Sequence, residues 1–155
     1  MGVTIHYAGR LRKGSDLQEF LGQVEVLAKE QQWRIERLHN SPDHPDTGFV
    51  TYPNPECEPL QFEFDLKGRL SGWVKTQFAG PQIHIEVIEF LRQVKHLLGK
   101  FGVRDEGEYW ATGCEDTLRK HFNTINGVIQ EAVENNPRIR VGVHRPNGRI
   151  WDYIE

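Results

Sequence analysis

The chain has 155 residues, of which 37% are hydrophobic and 26% are charged, and its formal net charge is −3. This size and apolar content suit a single globular domain over residues 1–155, because two domains would each be undersized. The negative balance argues against nucleic acid as the expected partner, since phosphate binding needs clustered Lys and Arg, although a local basic patch stays open.

Membrane and metal signatures are missing from the sequence. Residues 1–14 have no apolar core of the kind a signal peptide carries, and no apolar run reaches the roughly 20 residues that span a bilayer. We therefore expect a cytoplasmic protein with no membrane partner. The only cysteines are Cys57 and Cys114, too few for a disulfide framework or a cysteine-rich zinc site, so both are interpreted as free thiols.

The first third of the chain is predicted to contain three strands and one helix. Residues 3–7 alternate apolar and polar side chains, which is typical of a half-buried strand. A capping box at Ser15 begins a helix whose apolar residues recur at helical spacing to about Gln32. Residues 33–38 and 48–52 are predicted as strands on either side of a loop rich in Pro, Asp and Asn.

The middle of the chain is predicted to form a hairpin followed by a helix. Residues 60–65 and 70–74 alternate on either side of the turn residues Lys67 and Gly68. Gly80 and Pro81 then begin a second helix, because proline is tolerated where the first helical N–H has no partner.

The last third of the chain is predicted as a strand, a helix and a terminal hairpin. The strand covers residues 103–111, and a capping box at Thr112 begins a third helix that ends before Pro137. Residues 139–144 and 149–153 flank a Pro-Asn-Gly turn and predict the hairpin. Because most strands follow one another through hairpin-like connections, we predict an α+β fold with a mostly antiparallel sheet and three helices packed largely on one face.

One candidate site lies where a predicted strand leads into the second helix. Lys75 and Gln77 precede the helix N-terminus, whose free N–H groups and partial positive charge suit a carboxylate or a phosphate. An ordinary strand-to-helix turn explains the same residues. His84 lies on the apolar side of that helix, unlike His96, and suits a metal ligand, a general base or a hydrogen-bonded core residue.

A second candidate site is the acidic and aromatic segment that ends in Tyr109 and Trp110. Its carboxylates, Asp105, Glu106 and Glu108, lie beside aromatic rings, a setting that raises carboxyl pKa values and suits metal binding or general acid/base catalysis. A solvated edge strand has the same composition, so both interpretations remain.

Several enzyme designs have no counterpart in the sequence. Neither of the glycine-rich phosphate loops occurs, no serine lies in a Gly-x-Ser-x-Gly elbow, and no cofactor is expected. A metal site would need ligands from separate elements, for which the candidates are His6, His84, Asp105 and Glu108.

Three segments resemble a group of small, uncharacterised bacterial proteins with no assigned activity. They are Gly-Val-Thr-Ile-His-Tyr at residues 2–7, Lys-Thr-Gln-Phe-Ala-Gly-Pro at residues 75–81 with His84, and Asp-Glu-Gly-Glu-Tyr-Trp at residues 105–110 with Thr112 and Gly113. The resemblance covers most of the chain, but it implies no catalytic or binding residue.

Two functional hypotheses follow from these residues. The first is a non-enzymatic binding or regulatory protein, such as a partner or inhibitor of another protein, with the aromatic residues Trp73, Tyr109, Trp110 and Trp151 at its interface. The alternative is a small metal-assisted hydrolase with a mixed imidazole and carboxylate site, formed by His6, His84, Asp105, Glu106 and Glu108. The sequence does not give the oligomeric state.

Overall fold

A computed structural model describes residues 2–155, which form two three-stranded sheets, a two-stranded terminal hairpin and four helices. The strands are β1 (Thr4–Arg10), β2 (Arg34–His39), β3 (Asp46–Tyr52), β4 (Leu60–Glu63), β5 (Arg69–Lys75), β6 (Lys100–Asp105), β7 (Arg140–His144) and β8 (Ile150–Ile154). The helices are α1 (Leu17–Glu30), α2 (Pro81–Lys95), α3 (Tyr109–Thr112) and α4 (Glu115–Asn135). In this part of the chain no helix has the length and apolar character needed to cross a membrane.

The strands pair antiparallel throughout, in the order β5-β1-β6 in the first sheet and β2-β3-β4 in the second. The α+β class is thus confirmed, whereas the prediction of one sheet with three helices is wrong. The predicted hairpin of residues 60–74 divides between the sheets, because β4 pairs with β3 while β5 pairs with β1 over its full length. Alternation determines which face each strand buries, but it does not select the neighbouring strand.

The main core lies between the two sheets and helices α1 and α2. Phe62 stacks on Tyr7 of the first sheet and on Phe49 of the second, with ring centroids 5.0 and 4.9 Å apart. Helix α2 buries Val87, Ile88, Phe90, Leu91 and Val94 in this core. A smaller apolar cluster joins Val3 to the buried face of α4.

The helix ends agree partly with the capping patterns. Gly80 precedes α2 with φ of 96° and Pro81 takes the first helical position, as predicted. The cap of α1 is Asp16 instead of Ser15, since the Asp16 side chain accepts the N–H of Gln18. Cys114, instead of Thr112, is the residue at the N-cap of α4.

The predicted strand of residues 103–111 is wrong beyond Asp105, since the observed strand covers Lys100–Asp105. Strand β6 ends at Asp105, whose carboxylate accepts the backbone N–H groups of Gly107 and Trp110 at 2.8 and 3.0 Å. Aspartate bonded to the backbone in this way favours a turn over a continuing strand. The turn leads into α3, a short helix absent from the predicted set of three, so residues 106–111 do not continue the strand.

Candidate functional site

A cleft of about 560 Å³ lies between the outer face of the first sheet and the terminal hairpin. The sheet supplies side chains that point away from the core, namely Thr4, His6, Trp73, Lys75 and Glu106. The hairpin supplies Arg149, Ile150, Trp151 and Asp152, and the loop before β4 supplies Glu58. Three candidates from the sequence, His6, Lys75 and Glu106, therefore meet in one cleft.

Lys75 and Gln77 fasten the hairpin to the end of β5. The Lys75 ammonium lies 2.6 Å from Oδ1 of Asp152 and donates to the Ile150 carbonyl at 2.9 Å. Gln77 donates to the same Asp152 oxygen at 3.2 Å and accepts the N–H of Val3 at 3.1 Å. Both side chains are thus occupied by contacts within the chain, instead of being free for an anion at the start of α2.

Glu58 is a buried carboxylate that no sequence pattern singled out. Its two oxygens accept the backbone N–H groups of Lys75 and Ile150 at 2.9 and 2.8 Å, and Arg149 lies 3.3 Å away. The residue lies in a proline-rich connection without periodicity, and its partners are 17 to 92 positions away along the chain. It joins β5 to β8 from the floor of the cleft.

His6 and Glu106 form a partly exposed pair on the sheet side of the cleft. His6 Nε2 lies 3.5 Å from Oε2 of Glu106, and each side chain is about a third exposed. The other Glu106 oxygen accepts the N–H of Thr4 at 3.0 Å. The pair is held by adjacent elements, since β1 and β6 are neighbours.

Two tryptophans flank the cleft and remain about half exposed. Trp73 on β5 is 48% exposed, and the guanidinium of Arg149 lies 4.0 Å from its ring centroid. Trp151 on β8 is 46% exposed, with the Arg145 guanidinium 4.4 Å from its ring centroid. Each arginine limits the motion of an exposed ring by a cation–π contact.

The outer face of the terminal hairpin is apolar. Val141 lies opposite Tyr153 and Val143 lies opposite Trp151 in the β7–β8 register. Val141, Trp151 and Tyr153 are each 40% or more exposed. No other strand pairs with the hairpin in residues 2–155, so the outer edge of β7 is free, whereas Ile150 at the start of β8 is bonded to Glu58 and Lys75.

His84 takes part in a buried polar network with Thr76 and Asp105. Its Nδ1 lies 2.6 Å from the Thr76 hydroxyl, and its Nε2 lies 2.9 Å from Oδ1 of Asp105. Nε2 lacks a well-aligned hydrogen bond at that distance, so the contact with Asp105 is mainly electrostatic. Because an ionised carboxylate only accepts, Nε2 directs its hydrogen at Asp105, while the Thr76 hydroxyl donates to the Val3 carbonyl at 3.4 Å.

The pKa of Asp105 is lowered although the carboxyl is buried. Burial raises this pKa, but the contact with His84 and the N–H groups of Trp110 and Gly107 outweigh burial by favouring the ionised form. The order Thr76, His84, Asp105 is that of a hydrolase triad, but Thr76 and His84 have no exposed surface. The network joins β5, α2 and β6, and no substrate reaches it through the folded protein.

The remaining candidates lie away from the cleft. Glu108 contacts His121 of α4 at 2.6 Å on the surface. Tyr109 and Trp110, predicted as exposed aromatics, are partly buried against the apolar clusters. The proposed metal ligands therefore occupy three places, and within residues 2–155 no three His, Cys, Asp or Glu side chains converge to hold a metal ion.

Comparisons with the models of known protein families, with curated proteins and with solved structures gave no match. The resemblance of residues 2–7, 75–81 and 105–110 to small bacterial proteins therefore stays a prediction. The candidate site is described entirely by the chain's own geometry.

Proposed function

We propose that this chain is a non-enzymatic binding protein that acts as a partner or inhibitor of another protein in the cytoplasm. The observation that carries the proposal is the apolar face of the terminal hairpin, on which Val141, Trp151 and Tyr153 are exposed and Val143 is partly exposed. Exposed apolar patches of this kind mark sites of protein interaction. Cys57 and Cys114 are free thiols, which supports the proposed location in a reducing compartment such as the cytoplasm.

The composition of this face suits an anchor for a partner. Tryptophan and tyrosine are enriched among the interface residues that contribute most to affinity, and Trp151 and Tyr153 lie on one side of β8. The free edge of β7 also offers backbone N–H and C=O groups to an added strand.

The hairpin is held in place before any partner binds. A two-stranded hairpin alone is marginally stable in water, but here Lys75, Gln77 and Glu58 bond its inner side to the first sheet. A rigid surface loses less conformational entropy on binding, which favours affinity. By contrast, the metal-assisted hydrolase hypothesis gains no support, because its five residues lie in three separate places in the fold.

Photo-crosslinking from the hairpin tests this function. A photoreactive amino acid at Tyr153 should give a defined adduct in cells, whereas the same residue at Val128, an exposed position on α4, should not. The captured protein, once purified, should bind the wild-type chain and lose at least tenfold in affinity to the Trp151→Asp variant. Truncation of a central interface aromatic commonly costs this much or more.

Two results would count against the proposal. One is an equal yield of adducts from positions 153 and 128. The other is a monomeric native mass together with no partner that depends on Trp151. If the adduct contains a second copy of the chain, the hairpin mediates self-association instead of binding a different protein. Sedimentation of the wild type would then show a dimer.

A further inference from the structure

The outer face of the first sheet carries three cations in one row. In the register of the sheet, Arg10 lies opposite Arg69 on one side and Lys100 on the other. These side chains point away from the core, since they alternate with buried or partly buried residues along their strands, and all three residues are exposed. Arg104, on the same face of β6, adds a fourth exposed cation.

Most of this positive charge is not neutralised within the chain. In the described residues Arg69 is bridged to Asp65 at 3.2 Å, whereas Arg10, Lys100 and Arg104 form no salt bridge. Glu106, which follows β6 at the far end of this face, lies 3.5 Å from His6 and forms no salt bridge to these cations in the described residues. The fold thus concentrates positive charge on one surface, although the formal net charge of the whole chain is −3.

A flat strip lies beside the row of cations. Ser71, Ala8 and Gly102 are aligned across the three strands and are all exposed. A Cβ added at Gly102 would meet no atom within 4 Å, so nothing covers this part of the sheet. The next row contains Trp73, His6 and Arg104. Trp73 lies roughly 13 Å along the strands from the row of cations, at about 3.3 Å per residue.

We propose that this face binds single-stranded nucleic acid. The backbone phosphates would contact Arg10, Lys100 and Arg104, and a base would stack on the face of the Trp73 ring opposite Arg149, whose guanidinium lies 4.0 Å from the ring centroid. Proteins that bind single strands without sequence preference combine a cationic track with aromatic stacking platforms in this way. A duplex fits less well, because its bases are already stacked and are not free to lie on an aromatic side chain.

The half-exposed aromatic residue favours a nucleic acid over an acidic peptide. An acidic peptide would neutralise the cations equally well, but its side chains contain no planar base that could stack on the half-exposed indole ring of Trp73 at the end of the flat strip. The inference goes beyond the binding function proposed above and uses a different surface, because Val141, Val143 and Tyr153 take no part in it. Either proposal can therefore fail alone.

Fluorescence anisotropy with labelled oligonucleotides tests the inference. The probes are fluorescein-labelled dodecamers of uridine and of thymidine, and the competitor is a twelve-residue polyglutamate. The wild-type chain should bind at least one oligonucleotide with a Kd of about 1–100 μM at low salt, in the usual range of non-specific binding. Polyglutamate should compete at least tenfold less well.

Matched charge reversals locate the surface. The double variant Arg10→Glu/Lys100→Glu should weaken binding at least tenfold and lower the slope of log Kd against log salt by about 1.4, at about 0.7 for each phosphate that is no longer neutralised. The control Lys29→Glu/Lys120→Glu changes the net charge equally on exposed helix positions and should change affinity less than twofold. Trp73→Leu should weaken binding about five- to a hundredfold, the usual effect of losing one stacked base.

Three outcomes would overturn the inference. They are no saturable binding of either oligonucleotide, equal competition by polyglutamate, and equal effects of the two double variants. Circular dichroism of each variant shows whether it is folded. Should Trp73→Leu fail to fold, Gly102→Glu repeats the test, because it adds a negative charge to the flat strip at a position with open space. Unchanged binding in Gly102→Glu would also refute the surface.

Discussion

Replacing Asp105 with asparagine should destabilise the protein by about 2–4 kcal/mol at pH 7. The two carboxylate oxygens accept the N–H groups of Gly107 and Trp110 and face the protonated Nε2 of His84. Asparagine keeps one acceptor oxygen and places an NH2 group against one of these donors. An unsatisfied buried donor costs about 1–3 kcal/mol, and the absence of hydrogen bonds to a charged group adds to this. The Asp105 side chain is only 1% exposed, so solvent screens little of the effect.

Urea unfolding followed by tryptophan fluorescence measures this loss. With a slope of about 2 kcal/mol per molar urea, the midpoint should fall by about 1–2 M. The control Asp43→Asn, on an exposed loop, should change the free energy of unfolding by less than about 0.5 kcal/mol.

The pH dependence gives the prediction a second readout. The pKa of Asp105 is lower in the folded state than its ordinary value of 3.8. Stability from its ionisation is therefore fully present above that value and is lost as pH falls through the folded pKa. The difference in the free energy of unfolding between the wild type and Asp105→Asn should thus become smaller below about pH 5. The reasoning fails if the two proteins are equally stable at pH 7, or if the difference is constant down to pH 3.

Three further predictions concern other buried contacts. Glu58→Gln should cost about 1–3 kcal/mol by leaving a donor of the hairpin unpaired, and limited proteolysis should then cut the terminal hairpin first; cleavage at the wild-type rate would contradict this. A thiol titration of the folded protein should find Cys114 reactive and Cys57 inert. A hydrogen bond from the Thr117 side chain lowers the pKa of Cys114, whereas burial raises the pKa of Cys57 to about 12. Equal reaction rates of the two thiols would refute this prediction. Gly107→Ala should lower the melting temperature, since its Cβ would lie 2.5 Å from a leucine of α4, whereas Gly127→Ala on open helix surface should raise it; equal shifts would contradict the crowding.

Local patterns were sufficient for the long elements of the fold. The apolar periods of α1, α2 and α4 and the alternation of β1 reflect burial of one face, which is visible in a short stretch of sequence. His84 was expected on the core side of α2, and it is fully buried there. In contrast, the partners of β4 and β5 depend on chain segments far away, so the adjacent alternating stretches were wrongly joined.

The cleft, too, depends on contacts between distant segments that local sequence patterns do not reveal. His6, Lys75 and Glu106 could be selected as chemically able residues, but their convergence depends on β1 pairing with both β5 and β6. Glu58 and Asp152 had no local signature, because each acts through partners elsewhere in the chain. The turn after Asp105 was missed since its alternating sequence matched a strand as well as it matched an aspartate-capped turn.

The order of strands in the first sheet has a consequence for how the chain folds as it is synthesised. The central strand β1 is made first, yet its partners follow much later, with Thr4 opposite Lys75 and Ile5 opposite Asp105. The second sheet instead pairs strands that are consecutive in the chain. Since pairings between distant segments form slowly, we expect the second sheet to form during synthesis, before the first. Until β5 and β6 have been synthesised, β1 is unpaired and can contact other chains.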